Sequence, residues 1–311
     1  MTKNDLIGKM YSKEITPEQA VQEYDRSLGH GRKYRPKDKD ARVASYQKSR
    51  ALREEIRKKR IPFITPNFLP DFFLCQGMIL VGGLSGKGKS TAAANVLAGY
   101  LKSNNNGTAI VITNEENTDS IYDRVSCILC GVSYVDFLHH KLKIDDESMV
   151  IDTSLELTKQ IEVVEDEDWD MSYIEDVQSV LEHAASSGVG MVIIDYYQTI
   201  NASRKDPHAE SYMVLKRLGF YLKDYGRKYG IPVVVFAQLN PSGETSELQS
   251  RVQNDRTVFN HAFTVIEIVP DFETNLTTFI MHKDRFSNNS GREVIMKYDR
   301  GRYIMDRDME I

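Results

Sequence analysis

The sequence predicts an α/β fold with a mostly parallel central sheet, antiparallel edge strands and a small helical N-terminal extension. From Gly77 onward, short apolar runs alternate with longer helix-forming stretches. Such alternation is typical of a parallel sheet that is covered by helices on both faces. Nearer the C-terminus the apolar runs follow one another without helices between them, which indicates antiparallel pairing at that edge. A chain of 311 residues has room for one large domain and an appendage.

The first sixty residues are predicted to form a basic helical extension, separate from a body at residues 61–311. Residues 1–60 contain 17 Lys and Arg against 9 Asp and Glu, whereas the remainder contains 23 against 36. Thr16 and Pro17 indicate the start of one helix, and Ala41–Arg60 reads as a second, strongly charged helix with a narrow apolar stripe. This asymmetry indicates either an anionic partner for the extension or simply two solvated helices.

The body is predicted to contain nine strands and four long helices. A proline-containing extended segment at residues 61–76 leads into it. The predicted helices occupy residues 90–102, 117–130, 172–187 and 210–229. The predicted strands are Met78–Val81, Ala109–Thr113, Met149–Ile151, Ile161–Val164, Met191–Ile194, Val233–Ala237, Thr264–Val269, Thr277–Met281 and Glu293–Lys297.

A phosphate-binding loop lies between the first predicted strand of the body and its first helix. Its sequence matches the pattern G-x-x-x-x-G-K-[ST], in which backbone N–H groups surround the phosphates of a nucleotide. Lys89 would reach the terminal phosphates, and the Ser90 hydroxyl would bind Mg²⁺. A chance glycine-rich turn is the alternative, and the flanking strand and helix argue against it. The loop comprises Gly83, Leu84, Ser85, Gly86, Lys87, Gly88, Lys89, Ser90 and Thr91.

Carboxylates end two of the predicted strands. The strand Met191–Ile194 is followed by Asp195, placed to complete the Mg²⁺ site together with the loop hydroxyl. Ala109–Thr113 is followed by Asn114, Glu115 and Glu116, and Glu115 is placed as a general base that activates water. The alternative is that these glutamates only open the next helix. The pattern therefore predicts hydrolysis of a nucleoside triphosphate.

Two further strands end in polar or cationic side chains. Gln238 ends the strand Val233–Ala237, where an amide can hydrogen-bond the γ-phosphate and respond to its loss. The polar segment from Pro241 to Asn254 is long for a connection and is typical of a functional loop. Lys283 and Arg285 end another strand, and cations can stabilise charge on a phosphoryl group in its transition state. A solvated strand end is the competing interpretation of these two cations.

The cysteines and the hydropathy pattern indicate the cellular compartment of the protein. Three cysteines do not make a disulfide framework, and no apolar run approaches the roughly 20 residues that a membrane span needs. We therefore expect a cytoplasmic protein without a membrane partner. Cys127 and Cys130 form a C-x-x-C pair in a helix-like run, for which helix packing is favoured over metal binding or redox chemistry.

The order of these motifs resembles that of the DnaB-like replicative helicases, which have a RecA-type motor. The resemblance extends from about Phe63 to the C-terminus and is carried by five blocks. These are GLSGKGKST, TNEEN, VIIDYYQTI, IPVVVFAQLN and HKDR, the last followed by Gly291 and Arg302-Tyr303. The aspartate followed by Tyr-x-Gln and the later Gln-Leu-Asn are the most specific. The family's larger N-terminal domain, or a fused primase, has no counterpart here.

The resemblance implies an ATP hydrolase and DNA helicase that uses ATP and Mg²⁺. It implies that Glu115 is the catalytic carboxylate, that Asp195 holds Mg²⁺, and that Gln238 senses the γ-phosphate. Lys283 and Arg285 would reach the nucleotide of a neighbouring subunit in a homo-oligomer, usually a hexameric ring around single-stranded DNA. The matching DNA-binding loops offer Arg204, Lys205, Arg251 and Arg256. A primase, polymerase or loader is the implied protein partner, and Tyr303 would either stack on the base or belong to the core.

Two other functions share most of this chemistry. One is a RecA-like recombinase or helicase-loading ATPase that binds DNA without unwinding it. The other is a regulatory ATPase that acts on protein partners and ignores DNA. The residues Arg256–Ala262 keep little of the family's glycine-containing loop, so the resemblance predicts ATP chemistry more strongly than DNA contacts.

Overall fold

The structure is a computed structural model that describes residues 43–44, 46–48, 50–51, 77–103, 107–165, 171–241, 248–252, 257–285 and 290–305. The chain divides into two compact units, Met1–Arg60 and Ile61–Ile311. The described residues of the first unit, between 43 and 51, are helical and exposed. The helix expected after Thr16 and the proline-containing segment lie outside the described residues.

The second unit is built on one sheet, in which nine strands are described. They lie in the order β3-β2-β4-β5-β1-β6-β7-β8-β9. Pairing is parallel from β3 to β6 and antiparallel from β6 to β9. This arrangement confirms the predicted fold class, including the antiparallel edge. The strands are β1 Met78–Gly83, β2 Ala109–Thr113, β3 Ile161–Val164, β4 Met191–Asp195, β5 Val233–Gln238, β6 Thr264–Asp271, β7 Leu276–Asp284, β8 Glu293–Asp299 and β9 Arg302–Met305.

Helices cover both faces of this sheet. Because successive side chains of a strand point to opposite faces, Ile79 belongs to one core and Leu80 to the other. The described helices are α1 Lys89–Ser103, α2 Thr118–Cys130, α3 Tyr134–Leu138, α4 Ile144–Leu157, α5 Ile174–Ser187, α6 Ser211–Tyr229, α7 Leu248–Arg251 and α8 Val258–His261, together with a 3₁₀ turn at Tyr197–Thr199. The first core includes residues of α1 and α2, and the second includes residues of α5 and α6.

The predicted strand Met149–Ile151 is wrong, because these residues lie within α4. A short apolar run does not by itself distinguish a strand from a helix segment. Here the helix begins with three acidic residues, which favour a helix N-terminus. Its buried residues Val150 and Leu157 are two turns apart, on one face. Conversely, β9 was not predicted, because only four residues form it and Arg302 opens it.

The two described cysteines, Cys127 and Cys130, lie on α2 and pack within the fold. Cys127 is buried in α2, and burial raises the pKa of its thiol to about 12. The sulfur of Cys130 lies 3.4 Å from the Thr153 hydroxyl on α4. Among the residues that the structure describes, no three His, Cys, Asp or Glu side chains are grouped to hold a metal ion. The burial of Cys127 and the contact of Cys130 with α4 support helix packing for the C-x-x-C pair.

No helix in the described part of the chain combines the length and the apolar character that a membrane crossing requires.

Candidate nucleotide-binding site

The phosphate loop joins the carboxyl end of β1 to the first turn of α1. Gly86 and Gly88 have φ angles of +68° and +87°, a region that favours glycine. At Gly83, a Cβ atom would come within 3.1 Å of the Lys89 Cγ. The Lys89 Nζ donates a hydrogen bond to the Leu84 carbonyl at 3.3 Å, across the loop. Glycine at these positions therefore allows the lysine to fold back over a tight loop.

Lys89 is only 8% exposed, and its neighbouring charges are carboxylates. Burial lowers the pKa of Lys89, and the charges of Asp195 and Glu115 oppose that shift. A buried ammonium stays charged only where anions compensate for its lost hydration. A triphosphate would add more negative charge at the same place, which suits the lysine of a phosphate loop.

Asp195 ends β4 and is 5% exposed. Burial raises the pKa of its carboxyl group to about 7, and the charges of Glu116 and Glu115 add to the shift. A hydrogen bond with Ser90 and the charge of Lys89 oppose it. Among the described residues, the Asp195 Oδ1 has no hydrogen-bond partner. A buried carboxylate oxygen without a partner, next to a hydroxyl, is the oxygen donor set that Mg²⁺ prefers, so these residues fit the cation.

Glu115 and Glu116 follow β2 directly and have different surroundings. The Thr113 hydroxyl accepts hydrogen bonds from the backbone N–H groups of Glu115 at 3.2 Å and Glu116 at 3.3 Å. Glu116 forms an ion pair with Arg124 at 2.9 Å. Desolvation raises the pKa of Glu115, with Lys89 opposing the shift and Glu116 adding to it. Thr113 is the register partner of Asp195, so Glu115 lies two residues beyond the strand position beside Asp195.

Gln238 lies beside the phosphate loop, as the sequence predicts for a residue at the end of β5. Its register partner on β1 is Gly83, the first residue of the loop. Sequence reasoning gave no role to Gln198, although this residue was part of the motif VIIDYYQTI. Its side chain hydrogen-bonds the backbone of Gln238. The signal in the sequence was its place in the motif of aspartate followed by Tyr-x-Gln, which the resemblance made specific without giving this glutamine a role.

Asn95 joins α1 to the last strand and was also missed. Its side-chain amide donates to the carbonyls of Thr91 and Gly301, both at 2.8 Å, and its carbonyl accepts from the Tyr303 N–H at 3.2 Å. The Tyr303 ring packs edge-on against Phe279 and is buried. A Cβ at Gly88 would lie 3.0 Å from the Tyr303 hydroxyl. Tyr303 thus belongs to the core beneath the phosphate loop, and this supports the second of its two interpretations.

Lys283 and Arg285 do not approach the phosphate loop of their own chain. In register, Lys283 is level with Val265 and hence with Leu80 of β1, and the Arg285 N–H donates to the Phe263 carbonyl. Both side chains donate to carbonyls of α8: Lys283 to Phe259 at 2.6 Å, and Arg285 to Asn260 at 3.0 Å. They lie towards the amino end of β1, whereas the loop follows its carboxyl end.

The predicted DNA-binding residues have unequal surroundings. The Arg204 guanidinium lies 4.1 Å from the centre of the Tyr173 ring and forms an ion pair with Asp176, and Lys205 next to it is exposed. Arg251 forms an ion pair with Glu267 at 2.7 Å and keeps only 18% of its side chain exposed. Phosphate binding by Arg251 would have to break that pair. Arg256 lies outside the described residues.

Comparison with known proteins gives one family match. The model of the DnaB-like helicase C-terminal domain matches residues 73–255. A solved structure of an ATPase domain is similar, with a TM-score of 0.63 at 12% identity over 75% of this chain and 85% of that chain. A second similar structure is that of a DnaB-like replicative helicase and its interactions with primase. Its TM-score is 0.64 at 14% identity, over 97% of this chain and 74% of that chain. At 12% and 14% identity, these two structures support the fold and not a function. No curated protein matches the sequence.

Proposed function

Because the protein belongs to the family of DnaB-like helicase C-terminal domains, whose model matches 73–255 of its 311 residues, we propose that it is an ATP-driven helicase motor that translocates on single-stranded DNA. The observation that carries this proposal is the meeting of Lys89, Ser90 and Asp195 at the carboxyl ends of β1 and β4. Glu115 and Gln238 follow from the neighbouring strands. These residues supply the groups that bind the phosphates, hold Mg²⁺ and orient water in phosphoryl transfer.

In the proposed reaction, each group has one task. The loop Gly83–Thr91 binds the triphosphate of ATP with its backbone N–H groups, and Lys89 contacts the terminal phosphates. Ser90 and Asp195 would hold Mg²⁺, which would supply positive charge to the triphosphate. Glu115 orients the attacking water and accepts its proton, and its raised pKa makes it a better base than an ordinary carboxylate. Gln238 responds to loss of the γ-phosphate.

The site is proposed to be shared between subunits. Lys283 and Arg285 are directed to α8 and not to their own phosphate loop, so they do not serve the nucleotide of their own chain. A neighbouring subunit in a ring, usually of six, would supply them. Head-to-tail contacts of this kind close into rings when the rotation between subunits allows it. A primase, polymerase or loader would be a further partner, and residues 1–60 would form a separate basic extension.

The proposal is tested by measuring ATP hydrolysis with and without single-stranded DNA, together with unwinding of a forked duplex. We expect DNA-stimulated hydrolysis and strand separation. Glu115→Gln should abolish both while ATP binding persists, and Glu182→Gln, on the exposed side of α5, should change neither. Hydrolysis without unwinding, with open filaments in electron micrographs, would instead support the recombinase or loader. Hydrolysis indifferent to DNA would support a regulatory ATPase.

A further inference from the structure

The side chain of Gln198 is bound at both its polar ends to the backbone of one residue. Its Nε2 donates to the Gln238 carbonyl at 2.9 Å, and its Oε1 accepts from the Gln238 N–H at 3.1 Å. Gln198 is 6% exposed and lies in the 3₁₀ turn that follows β4. Three residues before it is Asp195, the proposed Mg²⁺ ligand. The two hydrogen bonds therefore link the metal-binding strand to the end of β5.

The length of the neighbouring strands explains why Gln238 needs this partner. Pairing between β4 and β5 ends at Ile194↔Val235, whereas β5 continues to Gln238. On its other side β5 stays paired with β1, where the Leu239 N–H donates to the Gly83 carbonyl. Since alternate peptide groups of a strand face opposite neighbours, the N–H and C=O of Gln238 face the side on which β4 has ended. The Gln198 amide takes the place of the missing strand.

Only a side-chain amide can serve both groups at once. A glutamine offers a donor and an acceptor in the plane of its amide group, whereas an ionised glutamate only accepts and a methionine thioether is at most a weak acceptor. Leaving a buried backbone N–H and C=O without partners is costly, so the end of β5 would move to find others. Gln238 would then no longer be held at its position opposite Gly83.

We infer that Gln198 is a positioning residue for the nucleotide reaction: it fixes the backbone of Gln238 so that the Gln238 side chain is aimed at the γ-phosphate. This inference rests on the proposed function. Gln198 itself does not touch the nucleotide. It acts through Gln238, and it couples the position of Gln238 to that of Asp195. Binding of the diphosphate part of the nucleotide depends on the loop Gly83–Thr91 and does not depend on Gln198.

The test is a double-mutant cycle on the full chain, with Gln198→Met and Gln238→Ala made singly and together. Steady-state ATP hydrolysis gives kcat and KM, and a fluorescent ADP analogue gives the affinity of the loop. We expect Gln198→Met to lower kcat about 10- to 100-fold, the effect of a misplaced catalytic group, with ADP affinity nearly unchanged. The double variant should be no slower than Gln238→Ala, because both changes remove the same interaction.

The outcomes separate the possible failures. If kcat of Gln198→Met equals that of the wild type, or if its loss multiplies with that of Gln238→Ala, Gln198 does not act through Gln238. A loss of ADP affinity that parallels the loss of kcat would show a general structural role and would also overturn the inference. Full activity of Gln238→Ala would also overturn the inference, because Gln198 is proposed to act through Gln238. Absence of ATP hydrolysis in the wild type would overturn the proposed function, and this inference with it.

A second variant keeps the test informative if Gln198→Met does not fold. Gln198→Asn retains the amide but is one methylene shorter, so it stays polar and loses its reach to Gln238. We expect the same fall in kcat with unchanged ADP affinity. Activity at the wild-type level in Gln198→Asn, with an unchanged urea midpoint, would contradict the inference.

Discussion

The Arg251 guanidinium lies 2.7 Å from the Glu267 carboxylate in an ion pair that is almost fully buried, with 18% of one side chain and 7% of the other exposed. Glu267 also contacts the His282 Nε2 at 2.9 Å. In the sheet Glu267 lies beside Gly82, one residue before the phosphate loop. The Arg251 carbonyl accepts a hydrogen bond from the Asn240 N–H at 2.7 Å. The pair thus ties the chain that follows Gln238 to the strand beside the nucleotide site.

Removing Arg251 should destabilise the fold. We expect Arg251→Met to lower the free energy of unfolding by about 1–3 kcal/mol, because it leaves the buried Glu267 carboxylate with one partner fewer. Arg217→Met is the matched control, since Arg217 pairs with Asp206 where both side chains are about half exposed, and it should cost roughly 0.5 kcal/mol or less. Urea unfolding of the two variants measures the difference. Equal midpoints would show that the buried pair contributes nothing.

The same pair predicts a pH dependence of stability. Burial raises the pKa of Glu267, but the hydrogen bond with His282 and the charge of Arg251 outweigh it and lower the pKa below its usual 4.5. A lowered carboxyl pKa gives stability that is present above pH 4.5 and is lost as the pH falls through the folded value. The stability difference between the wild type and Glu267→Gln should therefore shrink below pH 4.5. A difference that stays constant from pH 7 to pH 3 would contradict this assignment.

Lys283 predicts a basic limb in the pH profile of ATP hydrolysis. Burial lowers the pKa of Lys283 to about 8, and the charges of Arg285 and Lys223 add to the shift. Without nucleotide, the side chain therefore loses its charge as the pH rises through about 8. If its charge stabilises the transition state, kcat/KM, which reports the enzyme without substrate, should fall as the pH rises through about 8. Lys283→Arg should abolish the fall, because arginine stays charged, and Lys223→Gln should move it to higher pH. If neither substitution alters the pH profile of ATP hydrolysis, the charge of Lys283 does not stabilise the transition state.

The surroundings of the predicted DNA-binding residues lead to different expectations for each. Arg204 and Lys205 are accessible, so Arg204→Ala and Lys205→Ala should weaken binding of single-stranded DNA. Each lost phosphate contact should reduce the slope of log K against log salt concentration by about 0.7. Arg251→Met should leave that slope unchanged, because its ion pair with Glu267 is largely buried, whereas the pair with Asp176 leaves 49% of the Arg204 side chain exposed. A slope reduced by Arg251→Met and not by Arg204→Ala would reverse this assignment.

Arg285 is expected to act on turnover and not on binding. Arg285→Ala should lower kcat by about 10³-fold or more, the effect of losing an arginine at a transferring phosphoryl group. The affinity for an ADP analogue should remain nearly intact, since Arg285 lies away from its own phosphate loop. Arg227→Ala, on the exposed last turn of α6, is the control and should be neutral. Turnover that survives Arg285→Ala would rule out the assigned role.

The parts of the site that the sequence could predict are those set by local pattern and strand direction. Lys89 and Ser90 belong to a contiguous motif, and Asp195, Glu115 and Gln238 each follow an apolar run whose carboxyl end falls at the same edge of a parallel sheet. The pairing of Gln198 with Gln238 depends on β4 ending before β5, which neither run reveals alone. Likewise Arg251 reads as an exposed loop cation until its distance to Glu267, on a different strand, is known.

Each nucleotide is proposed to be shared between two subunits, and mixing two inactive variants tests this sharing most directly. Lys89→Ala removes the phosphate-binding lysine, and Arg285→Ala removes the cation offered to the neighbour. In an equal mixture, about a quarter of the head-to-tail interfaces join an intact loop to an intact Arg285. We predict that the mixture recovers DNA-stimulated ATP hydrolysis towards that fraction of the wild-type rate. A mixture as inactive as its components, although subunits exchange, would contradict the account.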